Sequence, residues 1–206
     1  MQLFANAVNA AREADDLYLE GVTAHSQTLD PTCDLQFFEI HGSHFEHCSF
    51  CGANLGKASF YDCTFLGCDF SNVRMDNAFF ARSRLEGCKL EGAQLTGAIF
   101  RSTRLVGCHC RYANMGEAKF EGAVLEECDL REAFLNEVRF AKRSRLNGCS
   151  LVRADFFRTP LKGMDLSTCD IAGIAVSDTR QELHGAIICA EQAVDVVGML
   201  GLRVKE

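Results

Sequence analysis

Cys48-Ser49-Phe50-Cys51-Gly52-Ala53-Asn54-Leu55-Gly56-Lys57-Ala58-Ser59-Phe60-Tyr61-Asp62-Cys63-Thr64-Phe65-Leu66-Gly67-Cys68-Asp69-Phe70 is four copies, and the start of a fifth, of one unit: small, polar, large apolar, then two further residues. Read outward from this stretch, the large position runs back to Leu35 and forward to Phe140, 22 units in which only Cys110 is small. The phase then slips by one residue and resumes from Leu146 to Val176 for 7 more units. Neither 3.6 nor 2.0 divides five, so this period specifies neither an amphipathic helix nor an alternating strand. A chain that turns a corner every five residues would place the large and the small residue inside and the other three outside. Four such corners close a square coil.

Four corners require a period of twenty over the period of five, and the small position shows it. One side reads Cys48, Cys68, Cys88, Cys108, Cys128, Cys149 and Cys169, a core ladder of cysteines. The next reads Cys33, Ala53, Val73, Ala93, Ala113, Ala133 and Ala154, and the two that follow are mostly Ala, Ser and Thr. Like residues stacked at a fixed period are the mark of a solenoid.

Nine of the twelve cysteines fill the small inward position, leaving Cys51, Cys110 and Cys189. A buried free cysteine is a small hydrophobe, so packing alone accounts for them. Rungs lie about 4.8 Å apart, further than the roughly 3.8 Å between β-carbons of a disulfide. Free thiols in a reducing compartment are therefore predicted. Zinc chemistry suggests itself at His41, His44, His47, Cys48 and Cys51, but the coil points Cys48 inward and the histidines outward on two sides. Cys108-His109-Cys110 diverges in the same way, so neither a metal nor another cofactor is expected. The chain carries no Gly-x-Ser-x-Gly, phosphate loop or dinucleotide fingerprint. Its acidic residues, Asp15-Asp16 and Glu126-Glu127 among them, scatter over outward positions. No catalysis is expected.

The length, 206 residues, and the balance of 48% hydrophobic to 24% charged residues suit one soluble domain. With 21 basic and 28 acidic residues the net charge is −7, the wrong sign for a dedicated nucleic-acid binder, and no direct nucleic-acid binding is expected. Without a long apolar run or a basic leader the chain reads as cytoplasmic, with no membrane partner. Three segments emerge: residues 1–32, a cap with a short Ala-rich helix and an irregular first coil, because Leu17, Leu19, Val22 and Leu29 fall out of register; residues 33–177, the repeats; and residues 178–206. In the last, Ser177-Asp178-Thr179 leads in as a turn, and Ala190, Ala193, Val194 and Val197 share one helical face. That helix, followed by Leu200-Gly201-Leu202, would serve either as a plug on the last rung or as a dimer interface.

The unit resembles that of the pentapeptide-repeat proteins, which implies an all-β, right-handed quadrilateral β-helix. Leu161-Lys162-Gly163-Met164-Asp165, with Glu191-Gln192-Ala193 and Leu200-Gly201-Leu202 after it, is similar to the C-terminal module of the Qnr-type quinolone-resistance proteins, especially the chromosomal forms of Gram-positive bacteria. The resemblance implies a homodimer joined end to end through the C-terminal α-helical module, here Ala190, Ala193, Val194, Val197, Leu200 and Leu202. It also implies binding to DNA gyrase and topoisomerase IV, and protection of both from fluoroquinolones, partly by DNA-like shape and charge. The plasmid-borne members carry projecting loops; this chain has a single-residue insertion at Ala141-Lys142-Arg143. Charge mimicry is thin: a dimer about 80 Å long would carry 14 net negative charges, against about 47 on the same length of B-DNA.

Sorted by side, the outward charges are lopsided. One side carries Arg82, Arg101, Lys119, Arg139, Lys142, Arg143 and Lys162 against Glu39, Asp62 and Glu121, or +4. Another carries Asp34, Asp76, Glu117, Glu137, Asp155 and Asp178 against Lys57, Arg74 and Arg158, or −3. Phe37, Phe79, Phe134 and Phe157 also point outward, and exposed aromatics favour protein interfaces. The contact candidates are Phe134, Phe157, Lys119, Arg139, Lys142 and Arg143. A structural interaction rod, or an immunity protein against another topoisomerase poison, is the alternative role.

Overall fold

The computed structural model describes residues 4–141 and 143–202. Nearly every unit turns because its fifth residue adopts a left-handed backbone, as at Gly52 (φ +71°), Lys57 (φ +58°) and Asp62 (φ +55°). On two sides the next small residue closes the corner onto the large one, Ala53 N to Phe50 O at 3.0 Å and Ala58 N to Leu55 O at 3.1 Å. With positive φ at the third residue these resemble type II turns. On all four sides the corner amide donates to the coil above, as from Lys57 N to Asp76 O and from Gly67 N to Glu86 O, both at 2.8 Å. Gly67 is doubly constrained: its φ is +57°, and a β-carbon there would lie 2.6 Å from His47 Nδ1.

Stacked coils form two parallel sheets of seven short strands. One takes Tyr18–Glu20, Glu39–His41, Ser59–Tyr61, Phe79–Ala81, Ile99–Arg101, Lys119–Glu121 and Arg139–Phe140; the other runs from Thr23–His25 to Arg145–Asn147. Single parallel bridges stitch the remaining two sides, as in Ser49↔Asp69↔Lys89 and Asn54↔Arg74↔Gln94. The result is a four-sided parallel β-helix, the square coil expected from the period.

Inside, like residues meet like. Phe60, Phe80, Phe100, Phe120 and Phe140 stack with ring centroids 4.9 to 5.2 Å apart, near the spacing of neighbouring strands. The small position has a polar task as well as a steric one. Cys63 Sγ, Ser83 Oγ and Thr103 Oγ1 donate to the carbonyls of Ile40, Phe60 and Phe80 in the coil below, at 3.3, 3.1 and 3.1 Å. Each thus satisfies a buried acceptor.

Two stretches extend the stack beyond the reading of the sequence. Tyr18–Glu20 and Thr23–His25 are not irregular: Leu19 pairs with Ile40 and Ala24 with Phe45, and Leu29 N donates to Ser49 O at 2.8 Å. Leu19, Ala24 and Leu29 keep the period of five, but alanine stands in the large position and one extra residue follows before Leu35. At the other end the stacking passes Val176. Leu161 N donates to Glu182 O at 2.9 Å and Leu166 N to Ile187 O at 2.8 Å, so residues 181–188 lay down part of another coil. The insertion at 141–143 is absorbed at a corner, where Arg143 has φ +73° and the ladder register lengthens to Val124↔Arg145.

Helices cover both ends. Helix α1 (Phe4–Glu13) buries Phe4 and Val8. Helix α2 (Ala193–Met199) lies over the last coil with Val196 and Met199 half-buried against it. Among the described residues no helix is long and apolar enough to cross a membrane.

Candidate protein-docking surface

A side chain on one coil reaches its equivalent on the next, so outward charges pair across a separation of about twenty residues. Arg82 grips Asp62 with two bonds of 2.7 and 2.6 Å. Arg101 bonds Glu121, and Arg104 bonds Glu126, each at 2.7 Å. The Arg82 guanidinium holds the Asp62 carboxyl below its ordinary range. Exposed pairs of this kind contribute about 0–1 kcal/mol each, but they cancel charge locally. Two of the seven cations of the basic side, Arg82 and Arg101, are thereby neutralised.

Four others are not. Lys119 and Arg139 occupy matching positions on adjacent strands, and Arg143 is exposed at the following corner. Among the described residues no carboxylate forms an ion pair with Lys119, Arg139, Arg143 or Lys162. Lys142 lies outside the described residues. The excess positive charge is therefore concentrated towards the C-terminal end of the rod.

Phe134 and Phe157 lie around the corner from these cations, on the acidic side, and are 49% and 41% exposed. The Arg158 guanidinium sits 5.0 Å above the Phe157 ring and bonds Glu137 at 3.3 Å. Next to them opens a cleft of about 550 Å³, lined by Phe157, Arg158, Pro160, Ser177, Thr179, Gln181 and Glu182. Burial works against ionisation of Glu182, but backbone amides, including that of Arg158 at 2.9 Å, and the Ser177 hydroxyl at 2.8 Å outweigh it and lower its pKa. Phe79 is half-covered between Tyr61 and Arg101. Tyr112, overlooked in the sequence, is 48% exposed with Arg111 over its ring. Its place at an outward position was the available signal.

A profile of the family described as "Pentapeptide repeat region" matches residues 38–115 and 78–156, more than half of the chain. The chain belongs to the pentapeptide-repeat family. Among solved structures, a trypsin-treated form of QnrB1, a plasmid-mediated fluoroquinolone resistance protein, is 21% identical, with 90% of this chain and 100% of that chain covered and a TM-score of 0.44. HetL, a pentapeptide repeat protein involved in heterocyst differentiation regulation in Nostoc sp. strain PCC 7120, is 16% identical over 91% and 98% of the two chains, with a TM-score of 0.26. A pentapeptide repeat protein of the Arabidopsis thaliana thylakoid lumen is 22% identical over 66% and 86%, with a TM-score of 0.32. No curated protein matches.

At the C-terminal end of this pentapeptide-repeat rod, α2 begins at Ala193 and leaves Ala190 in the preceding turn. Val196 and Met199 face the coil; Ala190 and Ala193 are exposed and Val197 is half-buried. Val194, Leu200 and Leu202 are 53–60% exposed, and Ile187 is 52% exposed. Gln192 fastens the turn with Nε2 bonds of 2.8 Å to Leu166 O and 2.5 Å to Cys169 O. Arg180 bonds Met199 O through Nε at 3.0 Å and through its terminal nitrogen.

All twelve cysteines of the repeat protein are free, and the seven of the core ladder are buried. Burial pushes the Cys63 thiol up to about 11 and Cys110 well above its usual value. Contacts with neighbouring thiols, and burial behind them, put Cys128 and Cys149 at about 12. The three outward histidines stay apart, and no three His, Cys, Asp or Glu side chains among the described residues could hold a metal ion together.

Proposed function

We propose that this chain is a non-enzymatic docking protein for the type II topoisomerases DNA gyrase and topoisomerase IV, acting in the cytoplasm as a homodimer that shields them from fluoroquinolones. The observation that carries this reading is the C-terminal end. There the residues that resemble the Qnr-type module present Val194, Leu200 and Leu202 outward, more than half exposed, over a cap held from beneath by Gln192. Apolar residues gathered at the tip of an otherwise polar rod suit end-to-end pairing. The unpaired cations Lys119, Arg139 and Arg143, with Lys142 between the last two in sequence, and the rings of Phe134 and Phe157 would then meet the enzyme near that junction. Ion pairing such as Arg82–Asp62 and Arg101–Glu121 removes acidic charge from the surface, which favours rod shape over charge density as the basis of any likeness to DNA.

The test is DNA supercoiling by purified gyrase under inhibitory ciprofloxacin, with and without this protein, beside a titration lacking drug. Restored supercoiling is expected. No rescue and no inhibition at any concentration would leave a rod with another partner. Sedimentation of a Val194→Asp/Leu200→Asp variant separates the two parts of the proposal: a dimeric wild type and a monomeric variant are expected.

A further inference from the structure

The last turn of the rod ends on a charge that its hydrogen bonding does not require. In the coil below, Glu137 N donates from its corner to Phe157 O at 2.9 Å. Arg158 N, at the next corner up, has no such carbonyl, because Ser177 O is turned towards Arg180 N at 3.0 Å. Glu182 Oε1 accepts from that amide instead at 2.9 Å, and Oε2 accepts from the Ser177 hydroxyl at 2.8 Å. Neutral oxygens do the same work elsewhere: Thr159 Oγ1 accepts from Val138 N at 2.8 Å and Thr168 Oγ1 from Gly148 N at 3.1 Å. Glu182 is only 5% exposed, yet the donors around it keep it ionised. Among the described residues no cation pairs with it: the Arg158 guanidinium is bonded to Glu137, and that of Arg180 to Met199 O and Asp178 O. A buried charge without a counter-ion is costly. A carboxylate also accepts about four hydrogen bonds, and this one has two. It lines the cleft of about 550 Å³, within the size range of ligand sites, beside Pro160 and the exposed Phe157 ring.

We propose that this cleft binds a guanidinium group, with Glu182 as its counter-ion and the Phe157 ring as the surface it stacks against. Guanidinium is planar and more weakly hydrated than ammonium, so it leaves water at lower cost, and its forked donors match the lone pairs that a carboxylate leaves free. A cation over an aromatic ring adds to the attraction. The ring already accepts such a group, since the Arg158 guanidinium lies 5.0 Å from its centroid. Within the cleft Arg158 is the like charge that a ligand must tolerate, and its bond to Glu137 at 3.3 Å offsets it. The site requires neither a dimer nor a topoisomerase. Its guanidinium comes either from free arginine or from an arginine side chain of a polypeptide, and the two differ in what surrounds the α-carbon.

The test is a saturation-transfer NMR titration of the full chain with free arginine, with N-acetylarginine methylamide and with N-acetyllysine methylamide. Saturable binding of an arginine compound is expected, with weaker binding of the lysine one. Tighter binding of the blocked form would make a polypeptide the source, and tighter binding of free arginine the amino acid itself. Glu182→Gln keeps an acceptor for Arg158 N and removes the charge, so it should weaken binding about tenfold or more. Arg158→Gln removes the like charge and should strengthen it. Phe157→Leu, at an exposed ring with no part in the cap, should weaken it about two- to fivefold, and it reads the site even if the Glu182 variant does not fold. No saturable binding, equal affinity for the lysine compound, or unchanged affinity in either Glu182→Gln or Phe157→Leu would overturn the proposal. So would weaker binding by Arg158→Gln, which is the sign of an anion site.

Discussion

At the N-terminal end α1 drives Phe4 into the coil, edge-on to Phe45 and Phe50 at 5.0 and 6.0 Å, with Val8 fully covered and Arg12 bonded to Asp34 O at 2.7 Å. At the C-terminal end α2 has no fully buried residue; polar bonds from Gln192 and Arg180 hold it, and apolar side chains face outward. Both helices cover a rung whose backbone edge would otherwise invite another strand. The N-terminal cap spends its apolar side chains on that cover, each contributing about 1.5–3 kcal/mol by burial. The C-terminal cap achieves it with hydrogen bonds and keeps apolar surface available. One end terminates the rod, and the other is suited to continue it into a second copy.

The contrast breaks most directly at the apolar plug. Phe4→Ala should cost about 3 kcal/mol, approaching the 3–5 kcal/mol expected of Phe70→Ala in mid-rod, by urea denaturation of each variant. A cost below about 1 kcal/mol for Phe4→Ala would mean that α1 lies on the rod without plugging it. A related loss, set by pH, lies within the rod and at neither cap. The Cys63 pKa is raised in the folded chain from 9.0 to about 11, so its neutral thiol contributes fully below pH 9, and that contribution fades as pH climbs to 11 and the unfolded chain ionises first. At 1.36 kcal/mol per pH unit the loss is about 3 kcal/mol. Cys63→Ser, flanked in its column by Ser43 and Ser83, should lose measurably less melting temperature between pH 9 and pH 11 than the wild type.

Gln192 is the C-terminal counterpart of Phe4, and its effect is polar. Gln192→Ala leaves the carbonyls of Leu166 and Cys169 without their donor, at about 1–3 kcal/mol. Thermal melts should place it between Phe4→Ala and any surface change. An effect near zero would show that water replaces the amide, and that α2 is held by Val196 and Met199.

The period of five made the central coils legible because every unit repeats one steric requirement, a large residue and a small one facing inward. Where the requirement relaxes, the reading stops. Ala24 fills the large position of the first coil, so a coil as well paired as the rest looked irregular. Glu182 and Ile187 stack on Leu161 and Leu166 with no period to announce them, since a final partial coil has no successor to match. The contact candidates were legible as outward residues but not by their state of pairing. Nothing local separates Arg101, bonded to Glu121 twenty residues away, from Arg139, which meets Lys119 across the same ladder.

That distinction in pairing yields the smallest expected change in stability. Arg143 is exposed at the corner that absorbs the inserted residue, with φ +73°. Arg143→Ala should therefore shift stability by no more than about 0.5 kcal/mol, whereas Arg143→Gly, which accepts that backbone freely, should if anything raise it. Arg101→Ala removes a charge of the same sign from the same side of the rod, but one already neutralised by Glu121. If unpaired charge is what a topoisomerase reads, Arg143→Ala weakens protection of gyrase in the supercoiling assay and Arg101→Ala leaves it unchanged, at matched melting temperatures. Equal loss from both would make net charge of the side the determinant, and no loss from either would move the contact to Phe134 and Phe157.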